Sequence, residues 1–205
     1  MLNFLKGGML TGAEIERQIK KGNILIDPYD PSCINPNSYN LKLHPQLLIY
    51  DRGWKDDPRR YTTPGSISAF EDRKYLPPID MMTPNRIIEL EIPDNGLVLY
   101  PNTLYIGRTA ERTATDKFIP MINGRSSGGR LGISIHICAG FGDIGFDGTW
   151  TLEITVVEPV RVYPNAEIAQ VCFFNPSGKI GKLYRGRYYK QVSATPSKFY
   201  KAKEN

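Results

Sequence analysis

No apolar run in this chain lasts long. Stretches such as Leu47-Leu48-Ile49-Tyr50, Gly96-Leu97-Val98-Leu99-Tyr100 and Ile133-Ser134-Ile135-His136-Ile137 are each cut short by clusters of Pro, Gly, Asn and Asp. The 16 prolines and 19 glycines are spread through all 205 residues. Proline removes a backbone donor and glycine loosens the chain, so such runs cannot grow into long helices. Many short strands at close spacing point instead to a mainly β fold: a sandwich, a barrel or a jelly roll. One helix is expected near the N-terminus. Thr11-Gly12-Ala13-Glu14 is a capping-box pattern, in which the Thr11 hydroxyl takes an amide hydrogen three residues on and Glu14 reaches back. Ile15 and Ile19 share a face, Lys20 and Lys21 suit the negative end of the helix dipole, and Gly22 suits a left-handed stop.

The length corresponds to one domain, residues 1–205, large enough to bury a real core. With 40% hydrophobic and 23% charged residues, disorder and coiled coils are excluded. Twenty-six basic against 21 acidic residues give a net charge of +5, which suits an anionic ligand or a nucleic acid but proves neither. Cys33, Cys138 and Cys172 show no C-x-x-C pairing, which argues against a disulfide framework and for a reducing compartment, the cytoplasm. No apolar run reaches the ~18 residues that a membrane span needs. Residues 51–85 read as an irregular excursion from the β core, and residues 184–205 form a basic, aromatic tail.

The densest polar cluster is Gly124-Arg125-Ser126-Ser127-Gly128-Gly129-Arg130-Leu131-Gly132. Glycines let backbone amides approach an anion, and two arginines offer forked donors for phosphate oxygens. It is not a P-loop, and an Arg-capped turn between strands is the plainer alternative. Ala139-Gly140-Phe141-Gly142-Asp143-Ile144-Gly145-Phe146 follows, a glycine-studded loop with one acid, and by itself a hairpin turn. In the next strand Trp150, Leu152 and Ile154 share one face and Thr151, Glu153 and Thr155 the other. Glu153 is either a solvated outward residue or, beside the Arg-Ser cluster in a pocket, a general base. His44 and His136 are the only histidines, so a Ser-His-Asp set has little room. H-x-E with P-C-x-x-C, the ligand set of zinc nucleobase deaminases, is absent. Cys138 and Cys172 read as small buried hydrophobes.

Four segments carry a resemblance. Ile34-Asn35-Pro36-Asn37-Ser38-Tyr39-Asn40-Leu41-Lys42-Leu43 resembles a P-x-S-x-D-L-R-L strand. Arg125-Ser126-Ser127-Gly128-Gly129-Arg130-Leu131-Gly132 resembles R-S-S-x-x-R-L-G. Ala139 through Glu153 resembles A-G-[FW]-I-D-x-G-[FW]-x-G-x-x-x-L-E without a gap, and Gln191 through Lys198 resembles Q-x-x-x-T-P-S-R. All four patterns are those of the dCTP deaminase family of the dUTPase-like superfamily, which the chain thereby resembles, and the two central motifs at this spacing are the specific ones.

The resemblance implies a distorted jelly roll, the dUTPase-like β-clip barrel, assembled as a homotrimer with sites between subunits. It implies hydrolytic deamination of dCTP to dUTP and ammonia without zinc. Magnesium would ride on the triphosphate, dCTP and dUTP would be the nucleotide partners, and dTTP would be an inhibitor; no membrane or nucleic acid is implied. By this likeness Glu153 is the base that activates water, with Ser126 and the Ala139 carbonyl positioning it. Arg125, Ser126, Ser127, Gly128, Gly129 and Arg130 match triphosphate-binding positions, Asp143 the 3′-hydroxyl position, and Phe146 the position packed on the sugar. Thr151, Leu152, Gln170, Tyr184, Arg187 and Gln191 also match ligand-contacting positions, and the tail would act as a lid. Ala139-Gly140 resembles the dipeptide of dual enzymes that continue to dUMP and pyrophosphate, where the small Gly140 leaves room for a second water. A deaminase that stops at dUTP, a dUTPase and a non-catalytic nucleotide sensor remain the other readings. Departures from the pattern are Asn40 for Asp, Arg187 for Lys, Gly142 for an apolar residue, a shorter spacing to Tyr184 and a longer excursion at 51–85.

Overall fold

The computed structural model describes residues 8–51 and 78–204. In chain order the elements are β1 Gly8–Met9, helix α1 Gly12–Lys20, β2 Leu25–Asp27, β3 Tyr39–Lys42, β4 Gln46–Tyr50, β5 Ile87–Glu91, β6 Leu97–Leu99, β7 Tyr105–Ala114 and β8 Ile119–Gly124. A helical turn α2 Ser126–Gly129 follows, then β9 Ile133–Ser134, β10 Asp147–Val156, β11 Val160–Val162 and β12 Glu167–Asn175. The fold is mainly β, as the short apolar runs predict.

Helix α1 starts where the capping pattern puts it: Thr11 Oγ1 accepts from the Glu14 amide at 3.4 Å. Glu14 does not reach back, however. Its carboxylate is taken by Arg17 Nε at 2.7 Å and Gln18 Nε2 at 2.6 Å, and the Arg17 guanidinium holds its pKa down at about 2. Gly22 ends the helix at φ +70°. Ile15 is fully buried and fastens the helix to the core.

Two larger sheets and an antiparallel β6–β11 pair carry the rest. In the first, β12 is central, with β8 along one edge and β3 and β1 along the other, all antiparallel. The second runs β5-β4-β7-β10-β9, with β2 also on β7. Tyr39 and Leu41 of β3, Leu47 and Ile49 of β4, Tyr105 of β7, Leu152 and Ile154 of β10 and Val171 and Phe173 of β12 fill the space between them. The predicted Ile133–Ile137 strand is shorter than expected, because the Ile137 amide leaves the ladder and donates to the Glu153 carboxylate at 2.9 Å. Most of the 51–85 excursion lies outside the described residues; just before β5, Asn85 closes a loop by bonding the Asp80 amide and carbonyl.

The β7–β10 ladder has one irregularity. Thr149 faces Arg112 and Thr151 faces Arg108, so Thr109, Ala110 and Glu111 all stand opposite Trp150. Such a bulge strands backbone donors. Here side chains receive them: Thr109 Oγ1 accepts from the Trp150 amide at 2.9 Å, and a Glu111 carboxylate oxygen accepts from the Lys42 amide of β3 at 2.9 Å. The second bond ties β7 to the other sheet. Both acceptors are almost fully buried, and burial pushes the Glu111 carboxyl above its ordinary range.

Two measurements check this account. Thr109→Val keeps the shape but leaves a buried amide unpaired, and denaturant unfolding is expected to show a loss of about 1–3 kcal/mol, with Thr109→Ser much closer to the parent. Glu111 is raised in the folded state, so its charge destabilises the fold above that pKa and the cost disappears below the ordinary carboxyl range. The melting temperature of Glu111→Gln relative to the parent is therefore expected to be more favourable at pH 8 than at pH 4; an equal offset at both would contradict the burial argument.

Candidate functional site

Because the extra residues of the bulge sit on β7, the alternation of β10 runs on unbroken. Trp150, Leu152 and Ile154 turn into the core, while Thr151 and Glu153 turn out. On that outer side lies a cavity of about 480 Å³. Glu153 and Thr151 form its floor, the 137–143 loop one wall, Leu104 and Ile106 another, and tail residues its roof. The half-buried Glu153 carboxylate accepts from the Ile137 amide at 2.9 Å, and the Glu153 amide donates to the Ile135 carbonyl at 2.8 Å. Ala139 and Asp143 line the same cavity.

The acidic loop is held by packing. Gly142 donates to the Pro120 carbonyl at 2.9 Å, and a Cβ at Gly142 would sit 2.3 Å from the Trp150 ring. Trp150 packs on Phe146 with centroids 4.7 Å apart and the rings tilted by 41°, Phe146 meets Tyr184 at 6.2 Å, and the Trp150 indole donates to Thr113 Oγ1 at 2.8 Å. The glycine found in place of an apolar residue thus makes room for the indole. Asp143 is exposed at the cavity edge, and a turn bond from the Phe146 amide to its carbonyl fixes its backbone.

The tail is docked over this cavity. Gln191 accepts from the Thr149 amide at 2.9 Å through its carbonyl, and its side-chain amide donates to the Thr149 carbonyl and to Thr151 Oγ1. Farther on, Gln46 Oε1 takes the Ala194 amide and the Tyr50 hydroxyl takes the Ser197 amide. Gln191 Oε1 is buried and has no hydrogen-bond partner among the described residues.

The basic cluster lies elsewhere. None of Arg125, Ser126, Ser127, Gly128, Gly129 and Arg130 lines the cavity, and its lining has Asp143 and Glu153 but no Lys or Arg. Ser126 to Gly129 form the α2 turn, which stands beside β9 at the far end of β10. Arg125 pairs with Glu167 at 2.7 Å.

Residues 9–175 match the family model described as dCTP deaminase-like. The chain belongs to the dCTP deaminase-like family. Among its relatives, a protein of Hathewaya histolytica named "dCTP deaminase, dUMP-forming" is 42% identical over 193 residues, covering 94% of this chain and 98% of its own. One of the same name from Clostridium beijerinckii is 44% identical over 94% of this chain and 97% of its own. A crystal structure of 2′-deoxycytidine 5′-triphosphate deaminase from Agrobacterium tumefaciens superposes with a TM-score of 0.58 at 19% identity. That match takes in 83% of this chain and 49% of the other, about half of its length, and supports the dUTPase-like β fold.

Set against the motifs of the dCTP deaminase-like family, the cavity gathers Glu153, Ala139, Asp143, Phe146, Thr151, Tyr184 and Gln191. Leu152 points into the core, 1% exposed, so only its backbone faces outward neighbours. The Gln170 amide donates to the Gly124 carbonyl at 3.2 Å, beneath the basic turn. Arg187 is exposed and does not line the cavity. Gly140 is also absent from the lining; a Cβ there would face the Ile122 carbonyl at 3.0 Å and His136 Nε2 at 3.2 Å, so the space this glycine leaves is toward β8. Cys172 is buried as expected, but Cys138 is exposed and lines the cavity, because the Ile137–Glu153 bond lifts its segment out of the sheet. Sequence reading missed Tyr50, Leu104 and Ile106, whose wall positions follow only from β4 and β7 being neighbours.

Gly142→Ala tests the packing under Asp143. With Trp54 replaced by Phe so that Trp150 is the sole indole, the added methyl is expected to shift Trp150 emission and cost about 1–3 kcal/mol of stability. Unchanged emission and stability would mean that Trp150 is not held against Gly142.

Proposed function

We propose that this chain is an enzyme that deaminates dCTP hydrolytically and carries the product on to dUMP and pyrophosphate. The carrying observation is the Glu153 carboxylate, fixed by the Ile137 amide and facing a nucleoside-sized cavity with Asp143, Phe146 and Gln191 around it. Glu153 accepts a proton from a water that adds to C4 of the cytosine, then returns protons toward N3 and the departing amine, so that dCTP and water give dUTP and ammonia. The Ala139 carbonyl and Ser126 orient that water. Phe146 packs on the deoxyribose, Asp143 takes its 3′-hydroxyl, and the unpartnered Gln191 Oε1 offers an acceptor to the bound nucleotide. A second water then cleaves between the α- and β-phosphates of dUTP, leaving dUMP and pyrophosphate; the names of the similar proteins support this step.

A triphosphate needs cations, and one chain's cavity has none in its lining. The reading that accommodates this is a homotrimer in which a neighbouring subunit brings Arg125, Ser126, Ser127 and Arg130 to the cavity. Exposed apolar side chains support it: Leu131 and Val157 beside the basic turn, Ile137 and Phe141 at the cavity, each more than half exposed in the single chain. Among the described residues no three His, Cys, Asp or Glu side chains converge as a protein-held metal would need. Magnesium would be held by phosphate oxygens, where it neutralises charge.

Chromatography of the products of dCTP with magnesium tests the proposal: ammonia and dUMP with pyrophosphate are expected. Glu153→Gln is expected to lower ammonia release by about 100-fold or more while nucleotide binding persists. Wild-type deamination by that variant would remove Glu153 as the base, and accumulation of dUTP alone would remove the second step.

A further inference from the structure

Arg125 opens the basic turn, yet what it touches is acidic. Its Nη1 lies 2.7 Å from Glu167 Oε2 and also donates to the Glu167 carbonyl at 3.1 Å. The same carboxylate oxygen accepts from Asn40 Nδ2 at 2.8 Å, and Asn40 Oδ1 in turn accepts from Asn35 Nδ2 at 2.7 Å. Asn40 is 4% exposed, so this chain of bonds is anchored in the core rather than at the surface. A parallel network reaches the preceding residue: Ser38 Oγ donates to Gln170 Oε1, and Gln170 Nε2 donates to the Gly124 carbonyl. Strands β3, β8 and β12 therefore converge on the root of the basic turn.

An arginine side chain has many rotamers, and an anion that binds it must freeze them. Here the freezing is done in advance. With Nη1 held against β12, the Nε and Nη2 donors have no hydrogen-bond partner among the described residues. That edge is the one whose two parallel N–H groups match phosphate oxygens.

We propose that Glu167, itself held by Asn40, is a positioning residue that fixes the Arg125 guanidinium for the phosphates of the nucleotide. It touches no substrate and acts only through Arg125. The inference rests on the nucleotide-binding reading above and deepens it. Glu167 also offsets part of the Arg125 charge, so its carboxylate weakens the general pull on phosphate while improving the geometry. Position and charge can be separated by substitution: Glu167→Gln keeps an oxygen that accepts from Arg125 and Asn40, whereas Glu167→Ala removes both.

Steady-state kinetics with dCTP and calorimetric binding of inorganic tripolyphosphate provide the test. Glu167→Ala is expected to raise KM for dCTP about two- to tenfold, the range for freezing one long side chain, with kcat within about twofold. Tripolyphosphate binding should weaken by the same factor. Glu167→Gln should restore most of both, and in an Arg125→Ala background Glu167→Ala should add nothing further. A KM unchanged or lowered in Glu167→Ala, a loss confined to kcat, or an effect that adds to that of Arg125→Ala would overturn the proposal. If the parent protein fails to turn over dCTP but tripolyphosphate binding still depends on Glu167 through Arg125, the deaminase reading falls and the positioning role stands. Turnover with binding indifferent to Glu167 has the opposite meaning.

Discussion

The two sheets are joined where β7 holds more residues than β10 can pair. Three β7 residues stand opposite Trp150, and the surplus would leave buried donors bare if their side chains were apolar. Thr109 and Glu111 supply the missing acceptors, one for the neighbouring strand and one for β3 in the other sheet. Everything at the candidate site inherits this arrangement. The irregularity is confined to β7, so β10 keeps its pleat, and the pleat decides that Trp150 faces inward while Glu153 faces the cavity. A one-residue slip would exchange those two faces.

From that strand outward, the chain lines a cavity with six aromatics and two acids among its other residues, and assembles its basic turn somewhere else. The separation is stabilised on both sides. Trp150, Phe146 and Tyr184 pack in series under the acidic loop, and Gly142 is the concession that lets the indole in. At the basic turn, Glu167, Asn40, Gln170 and Ser38 form linked hydrogen bonds that connect it to the central strands. Each half is tied by its own side-chain contacts to a different part of the fold.

Local chemistry was legible in the sequence wherever one residue governs its neighbours. Thr11 caps the helix, Gly22 stops it, and the alternation from Trp150 to Thr155 assigns faces correctly. Motif likeness groups Glu153, Asp143, Phe146 and Gln191, and all four line the cavity. What stayed hidden depends on partners far away in the chain. Glu14 prefers Arg17 and Gln18 to its own cap, Cys138 is lifted out by a bond to a residue on another strand, and Arg125 finds Glu167 42 residues on. Spacing carries no trace of such pairings, because strand order rather than sequence separation creates them.

Five of the cavity's lining residues, Tyr184, Tyr188, Gln191, Thr195 and Ser197, come from the stretch that follows the last strand. A chain emerging from the ribosome can therefore finish both sheets, bury its core and carry Glu153 in its final orientation while the cavity still stands open to bulk water. That later stretch lies across the strand that bears the acid and covers one side of it.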